Sequence, residues 1–158
     1  MKKLKLYFDT SVLNFAIATD VPNEKDATLK LFKEIEEGKY EVFVSSVVID
    51  EIGRAPEIIA IKLKEVLMKL NAVKLLVNED SVELANKYVE NRVIPPRYKD
   101  DALHIAVATV NDLDMIVSWN FSHMVKVKTK REVRGINLLN GYKEMEIVSP
   151  QEVIEDAE

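Results

Sequence analysis

Hydrophobic residues occur in two patterns along the chain, as short continuous runs and as longer segments with helical spacing. The short runs predict strands at residues 4–8, 42–44, 73–77, 115–117 and 145–148. The longer segments lie between the runs and predict helices. Because strands alternate with helices through the whole chain, the pattern predicts a three-layer α/β/α fold with a central, mostly parallel sheet.

The helical segments are bounded by capping residues and by proline. Residues 26–37 form the first predicted helix, and Gly38 stands where a C-cap glycine belongs. Residues 20–25 contain a proline and are predicted to form a loop, while Ser45 or Ser46 can cap a second helix. The other predicted helices are 57–70, 80–92 (begun by Asp80 with Glu83), 100–111, one that follows the basic stretch 126–134 and ends near Gly141, and one begun by a capping box at 149–152.

Composition limits the class of protein. The chain has 158 residues, and we expect residues 1–158 to form a single domain. The absence of cysteine excludes disulfides and thiolate metal sites and is typical of a cytoplasmic protein. Four glycines are too few for a Gly-rich phosphate loop, and no apolar run is long enough to span a membrane. With a net charge of -5, any binding of nucleic acid requires a local basic patch.

Polar residues follow several of the predicted strands. Asp9 comes directly after the first strand, and Glu51 lies on the helix that is entered from the second. Asp101 lies in the first turn of the alanine-rich helix at 100–111, and Asn120 follows the fourth strand. Ligands bind at the carboxyl ends of the strands in such sheets. We therefore expect these side chains to gather at one rim of the sheet.

Three carboxylates cannot lie together without protons or cations, because like charges repel strongly at close range. Oxygen ligands that leave room for water suit Mg²⁺ or Mn²⁺ better than Zn²⁺. A bound ion of this kind would lower the pKa of a water molecule and stabilise charge on phosphate oxygens. The candidate ligands are Asp9, Glu51, Asp101 and Asn120, with the hydroxyls of Ser11 and Ser118 beside them.

Each acidic residue also has a simpler interpretation, which is favoured when the residue is taken singly. An aspartate after a strand is usually a turn or cap residue, and a glutamate on a helix is usually solvated. Asp101 could simply favour a helix N-terminus. We predict that Asp100 is the N-cap and that Asp101 points inward, and that Asp114 lies at the opposite end of its strand. His104 and His123 are predicted to be packing or surface residues.

The stretch 126–134 concentrates positive charge, with Lys126, Lys128 and Arg131 among its basic residues. Such a stretch is usually a solvated face. On an acidic chain, and close to Asn120 in the sequence, it could also bind a phosphate backbone. Both interpretations stay open from the sequence.

Four stretches resemble the PIN-domain family in their order and spacing: YFDTSVLN, VSSVVIDEIGR, KDDALHIAVA and DMIVSWNFSHM. PIN domains are flap-nuclease-like α/β/α nucleases, and many are toxin ribonucleases of prokaryotic toxin–antitoxin pairs. The resemblance implies that Asp9, Glu51 and Asp101 are the catalytic acids, that Asn120 takes a fourth position often held by aspartate, and that Ser118 supplies the nearby hydroxyl. It also implies Mg²⁺- or Mn²⁺-dependent cleavage of single-stranded RNA that leaves a 5′-phosphate, a homodimer, and often a cognate antitoxin.

Asn120 departs from the family pattern because it offers a carbonyl oxygen without negative charge. A second metal ion would then be held less tightly. Our first hypothesis is a cytoplasmic, metal-dependent endoribonuclease that acts as a toxin. The alternative is a catalytically weak PIN module that binds RNA or a partner protein. Phosphoryl transfer through an aspartyl nucleophile fits less well, because Thr10 and Ser11 follow Asp9 where a second aspartate would be needed.

Overall fold

The strands form one sheet in which every neighbouring pair is parallel. The computed structural model describes residues 2–156. Its strands are β1 (Leu4–Phe8), β2 (Tyr40–Ser45), β3 (Val73–Leu75), β4 (Met115–Val117) and β5 (Glu146–Val148). They follow the order β3-β2-β1-β4-β5 across the five-stranded sheet. The five apolar runs predicted as strands are confirmed, although β2 is longer than expected and β3 and β5 are shorter.

Helices follow each strand, and this alternation confirms the predicted three-layer α/β/α fold. The helices within residues 2–156 are α1 (Thr10–Ile17), α2 (Pro22–Glu36), α3 (Ser46–Gly53), α4 (Glu57–Leu70), α5 (Glu79–Glu90), α6 (Lys99–Val110), α7 (Val127–Leu139) and α8 (Pro150–Asp156), with a short 3₁₀ helix at Pro96–Tyr98. None of the helices in this part of the chain is both long and apolar enough to cross a membrane.

Three local features differ from the prediction. No helix is predicted for the segment of α1, because its eight residues are shorter than the roughly 11 to 18 residues over which helical periodicity is recognised. α2 begins at Pro22 within the predicted loop, since proline is tolerated at the first position of a helix. α5 is capped by Asn78 and Ser81, which exchange two hydrogen bonds of 2.9 Å, and not by Asp80 and Glu83.

Successive residues of β1 face two separate apolar layers, one on each side of the sheet. Leu6 and Phe8 pack in the layer formed with α1 to α4 and α8, while Tyr7 packs in the layer formed with α5, α6 and α7. All three side chains are fully buried. The central strand is therefore covered on both faces, as is usual for a parallel sheet.

The direction of strand addition reverses at β1, because β2 and β3 lie on one side of it and β4 and β5 on the other. Phe8 pairs with Val117 in the parallel register, so the residues that follow each strand are neighbours at the carboxyl edge of the sheet. Those residues are Asp9 and Ser118. A reversal of this kind opens a crevice in which α/β proteins bind their ligands.

Candidate active site

Asp9 is the first residue after β1 and occupies the N-cap position of α1, yet its side chain does not cap that helix. Its Oδ1 accepts a hydrogen bond from Ser11 Oγ at 2.5 Å, and its Oδ2 accepts one from Ser118 Oγ at 2.5 Å. Asp9 is only 4% exposed. The simpler interpretation as a cap residue is therefore wrong, since both carboxylate oxygens are directed to hydroxyls instead.

Ser11 and Ser118 are held so that their hydroxyl protons point at Asp9. Ser11 Oγ accepts a hydrogen bond from the backbone N–H of Trp119 at 2.8 Å, and Ser118 Oγ accepts one from the backbone N–H of Asn120 at 2.9 Å. Because each oxygen accepts from the backbone, its single proton is left to donate to the carboxylate. The pKa of Asp9 is raised by burial, which outweighs the nearby histidine at 104 and these two hydroxyl donors.

Glu51 is the acidic residue of α3, and its side chain contacts α1 and α6. Its Oε1 accepts hydrogen bonds from His104 Nε2 at 2.5 Å and from Thr10 Oγ1 at 2.9 Å. No residue in the described part of the chain donates a hydrogen bond to its Oε2. Burial alone would raise the pKa of Glu51, but the hydrogen bond from His104 and the nearby charges outweigh it, so the pKa is lowered. Glu51 is thus an ionised carboxylate with one oxygen available.

His104 contacts the site, although its position in the sequence predicts only a packing or surface residue. It is 1% exposed within α6, and its Nδ1 lies 2.6 Å from the hydroxyl of Tyr7. Burial alone would lower the pKa of His104, but the hydrogen bond to Glu51 outweighs it and the pKa is raised. One signal in the sequence could have identified it. His104 follows Asp101 by three residues, which places both on one face of a helix.

Asp101 lies in the first turn of α6 and is partly buried. Its Oδ2 accepts a hydrogen bond from Asn120 Nδ2 at 3.1 Å. Burial raises the pKa of Asp101 to about 6, with His104 opposing the rise and the charges of Asp9 and Glu51 adding to it. The structure therefore brings the three predicted acids within electrostatic reach of one another.

The orientation of the Asn120 side chain follows from its partners. Its Oδ1 accepts a hydrogen bond from the backbone N–H of His123 at 2.9 Å. A backbone N–H only donates, so the carbonyl oxygen faces His123 and the amide nitrogen faces Asp101. The oxygen that we expected to bind a metal is thus engaged within its own loop. The assignment of Asn120 as a metal ligand stays a prediction.

Two other aspartates lie outside this cluster. Asp100 contacts Arg54 through a 2.7 Å ion pair, and α6 begins one residue before it, so the N-cap role predicted for Asp100 is wrong. Asp114 lies at the amino end of β4, as predicted, where its Oδ2 accepts a hydrogen bond from the backbone N–H of Lys5 at 2.8 Å.

The basic stretch forms the cap and first half of α7, whereas we predicted that it precedes a helix. Lys126, Lys128 and Arg131 are exposed, and within residues 2–154 no carboxylate lies within ion-pair distance of them. The other two basic residues, Lys130 and Arg134, pair with glutamates at 3.8 Å and 3.3 Å. The three residues predicted to bind phosphates are thus the ones with uncompensated charge in this stretch.

The donor set fits a small divalent cation in its chemistry. Among the residues that the structure describes, no three Asp, Glu or His side chains converge closely enough to form a preformed metal cage. Mg²⁺ does not require such a cage, because one or two carboxylates usually bind it and several waters complete its shell. The raised pKa values of Asp9 and Asp101 indicate that the charge of His104 offsets burial only in part, so a further positive charge would stabilise both carboxylates. A cation beside them would supply it.

Comparison with known proteins gives a family and two similar folds. Residues 6–120 match the family model described as PIN domain, while no curated protein matches the chain. The fold is similar to VapBC2 from Rickettsia felis bound to a DNA fragment from their promoter, with a TM-score of 0.59 and 11% identity over 92% of this chain and 98% of that chain. It is also similar to VapBC-5 of the VapBC toxin–antitoxin family from Mycobacterium tuberculosis, with a TM-score of 0.50 and 16% identity over the same shares.

The matched segment runs from β1 to the loop after β4 and therefore contains Asp9, Glu51, Asp101 and Asn120. The two structural similarities, at such low identity, bear on the fold alone. The family model covers well over half of the chain, and its match confirms the resemblance inferred from the sequence motifs. The chain belongs to the PIN domain family.

Proposed function

We propose that the protein is a metal-dependent endoribonuclease in which residues 1–158 act as one domain. The observation that carries the proposal is the pair of carboxylates, Asp9 and Asp101. Both have raised pKa values, and both lie at the carboxyl edge of the sheet, where the direction of strand addition reverses. Perturbed carboxylates in a crevice are typical of functional sites. Membership of the PIN domain family supports hydrolysis of nucleic acid phosphodiesters at this place.

Asp9 and Asp101 would hold the ion, either Mg²⁺ or Mn²⁺, with Glu51 and Asn120 as further contacts. When bound, the ion would supply the positive charge that lowers the pKa of a water molecule and stabilises the phosphate oxygens. Ser11 and Ser118 fix the orientation of Asp9 through the two 2.5 Å hydrogen bonds.

Glu51 is suited to orient the attacking water, because its Oε2 is available while its Oε1 is engaged. A carboxylate within hydrogen-bond distance of a water can accept its proton. The water oxygen then forms a bond to phosphorus as the bond from phosphorus to the 3′ oxygen breaks. The leaving 3′ oxygen takes a proton from solvent, so the products are a 5′-phosphate and a 3′-hydroxyl.

Lys126, Lys128 and Arg131 would bind the phosphate backbone of the RNA beside this site. Two observations support this placement. Burial and the charge of Lys126 lower the pKa of His123, so Lys126 lies near the loop that carries Asn120. His123 also contacts Tyr98, with tilted rings whose centroids are 4.0 Å apart, and this contact joins that loop to the start of α6. Aromatic side chains on which bases can stack, beside a positively charged surface, are typical of single-stranded nucleic acid binding.

The structural similarity to two VapBC proteins supports a further part of the proposal. We propose that the chain is the toxin of a cytoplasmic toxin–antitoxin pair, that it forms a homodimer, and that a cognate antitoxin blocks the site. Light scattering of the purified chain tests the dimer. Co-purification with the product of a neighbouring reading frame tests the antitoxin.

Cleavage of labelled single-stranded RNA by protein stripped of metal, with and without added Mn²⁺, tests the activity. We expect cleavage only with metal, and loss of cleavage in Asp9→Asn and Asp101→Asn. Asp100→Asn is the matched control, since it removes a neighbouring charge that contacts Arg54 and not the site. Equal cleavage by the Asp101→Asn and Asp100→Asn proteins would contradict the proposal.

One observation favours a second candidate, a PIN module that binds RNA or a partner protein without efficient catalysis. The Asn120 carbonyl is engaged by His123, so the fourth oxygen ligand is not free. This candidate predicts RNA binding that persists in EDTA and in Asp9→Asn, with no cleavage in any metal. Fluorescence anisotropy with the same labelled RNA separates the two functions.

A further inference from the structure

A line of buried polar side chains leads from the interior to Glu51. Ser45 Oγ lies 2.7 Å from the hydroxyl of Tyr7, which lies 2.6 Å from His104 Nδ1. His104 Nε2 lies 2.5 Å from Glu51 Oε1. Ser45 and Tyr7 are 0% exposed and His104 is 1% exposed. The line therefore begins in the core and ends on the one member that reaches solvent.

The hydrogen bonds along this line are complete in either protonation state of the imidazole. Glu51 is a carboxylate and only accepts, so His104 Nε2 carries a proton and donates it. The Tyr7 hydroxyl can donate to an unprotonated Nδ1 or accept from a protonated one, and the Ser45 hydroxyl can serve Tyr7 in both cases. Ser45 Oγ also accepts the backbone N–H of Val47 at 3.1 Å, which fixes it at the start of α3.

Each member belongs to a different part of the fold. Tyr7 lies on β1, Ser45 ends β2, His104 lies on α6 and Glu51 lies on α3. Burying three polar side chains in an apolar layer is costly unless all are satisfied, and a satisfied network rigidifies its surroundings. A phenylalanine at position 7 would fill nearly the same space without a polar atom. The distinguishing feature of the network is therefore the residue at its end, Glu51, which is predicted to be catalytic.

We propose that His104, Tyr7 and Ser45 are positioning residues that orient Glu51, engaging its Oε1 so that Oε2 is presented to the metal and the attacking water. The proposal rests on the proposed function and names further residues for the same site. None of the three touches substrate or ion. Partners that orient a ligand in this way typically contribute 10- to 100-fold to metal affinity or activity.

The test compares Tyr7→Phe with Tyr88→Phe. Tyr88 is a matched control, because it is also fully buried in the same apolar layer and its hydroxyl donates to Asn137 Oδ1, away from the site. Each variant removes one buried phenolic oxygen. We expect Tyr7→Phe to weaken Mn²⁺ binding, measured by calorimetry, by about tenfold, and to lower kcat for RNA with KM nearly unchanged. Tyr88→Phe should leave both quantities at the wild-type value.

Two substitutions of His104 should weaken Mn²⁺ binding to different extents. His104→Leu removes the donor to Glu51 and should weaken Mn²⁺ binding by roughly a hundredfold, whereas His104→Gln retains an N–H donor and should restore part of it. Equal losses in His104→Leu and His104→Gln would overturn the positioning role, as would equal Mn²⁺ affinities in Tyr7→Phe and Tyr88→Phe.

A spectroscopic measurement separates this proposal from the proposed function. The chain has two histidines, so imidazole proton resonances can be assigned with a His123→Gln variant. The Nε2 proton of His104 should exchange slowly in the wild type and in Tyr88→Phe, and measurably faster in Tyr7→Phe. If the wild type neither bound Mn²⁺ nor cut RNA, the proposed function would fail, while equal proton exchange in the two tyrosine variants would still overturn the positioning role.

Discussion

The two ends of the central sheet hold aspartates in opposite electrostatic environments. At the amino end, burial would raise the pKa of Asp114, but the backbone N–H of Lys5 at 2.8 Å and the Lys143 ammonium at 3.3 Å outweigh it, so the pKa is lowered. At the carboxyl end, the pKa values of Asp9 and Asp101 are raised, chiefly by burial. The amino end therefore stabilises the charged form of Asp114, whereas the carboxyl end destabilises the charged forms of Asp9 and Asp101.

The difference lies in the donors. The groups that donate hydrogen bonds to the two acids of the carboxyl end are neutral, namely the hydroxyls of Ser11 and Ser118 and the amide of Asn120. The charge of His104 lowers both pKa values but does not outweigh burial. Neutral donors orient a carboxylate but compensate its charge less than a cation does. Arg54 pairs with Asp100, and its charge also lowers the pKa of Glu51. At the amino end the donors outweigh burial, whereas at the carboxyl end burial outweighs them, so a further positive charge there would stabilise both carboxylates.

Metal binding should produce the largest contrast between the two ends. Mn²⁺ at 100 times its Kd should stabilise the wild type by about 2.7 kcal/mol, which raises Tm by roughly 5–10 °C in a chain of this size. Thermal unfolding followed by circular dichroism measures the shift. Asp9→Asn should lose the shift, and Asp114→Asn should retain it. A full shift in Asp9→Asn would remove the carboxyl end as the metal site.

Much of this contrast follows from the sequence, because a parallel sheet brings the ends of separate apolar runs to one rim. Asp9 and Asp101 are 92 positions apart in the chain, yet the rule for carboxyl edges brings them together. The rule concerns strand ends and does not describe side-chain contacts. It therefore does not show that Asn120 would donate to Asp101 rather than present its carbonyl oxygen.

The line of buried polar side chains that leads to Glu51 is the part of the candidate site that could not be predicted from the sequence. His104 lies among alanine, isoleucine and valine residues, a context in which a histidine is usually a core residue. Tyr7 lies in an apolar run and reads as an ordinary strand aromatic, although a buried tyrosine hydroxyl needs a partner. Their contact depends on which face of β1 meets α6, and that face is set by packing across 97 positions of sequence.

Removal of the Asp101 charge should make the metal-free protein more stable, which is the next largest effect. A carboxyl whose folded pKa is raised stabilises the fold below its unfolded pKa, and this stability is lost as pH rises through about 6. Asp101→Asn does not titrate and should exceed the wild type by about 2 kcal/mol at pH 8. The difference should shrink towards pH 4. Urea unfolding of both proteins across this range measures it, and a constant difference would contradict the assignment.

A negative charge added at position 120 should lower the stability of the metal-free protein and also increase its affinity for metal. Asn120→Asp keeps an oxygen for the backbone N–H of His123 but replaces the donor to Asp101 with a second carboxylate oxygen. We expect a loss of about 1 kcal/mol in metal-free stability at pH 8, because the two like charges repel. Calorimetry should show tighter Mn²⁺ binding in the same variant. Stability unchanged without metal would mean that residue 120 does not face Asp101.

The smallest effect should come from the amino end. The Lys143–Asp114 pair is partly exposed, and ion pairs of that kind contribute about 0.2–1 kcal/mol. A lowered carboxyl pKa gives stability that is present above the unfolded pKa and is lost as pH falls through the folded value. Asp114→Asn should therefore lose a few tenths of a kcal/mol to about 1 kcal/mol at pH 7 and approach the wild type below about pH 3. Urea unfolding at the two pH values checks this, with Lys143→Met as a second variant that removes only the cation. If Asp114→Asn were more stable than the wild type at pH 7, the two ends of the sheet would not differ in the way that their hydrogen bonds indicate.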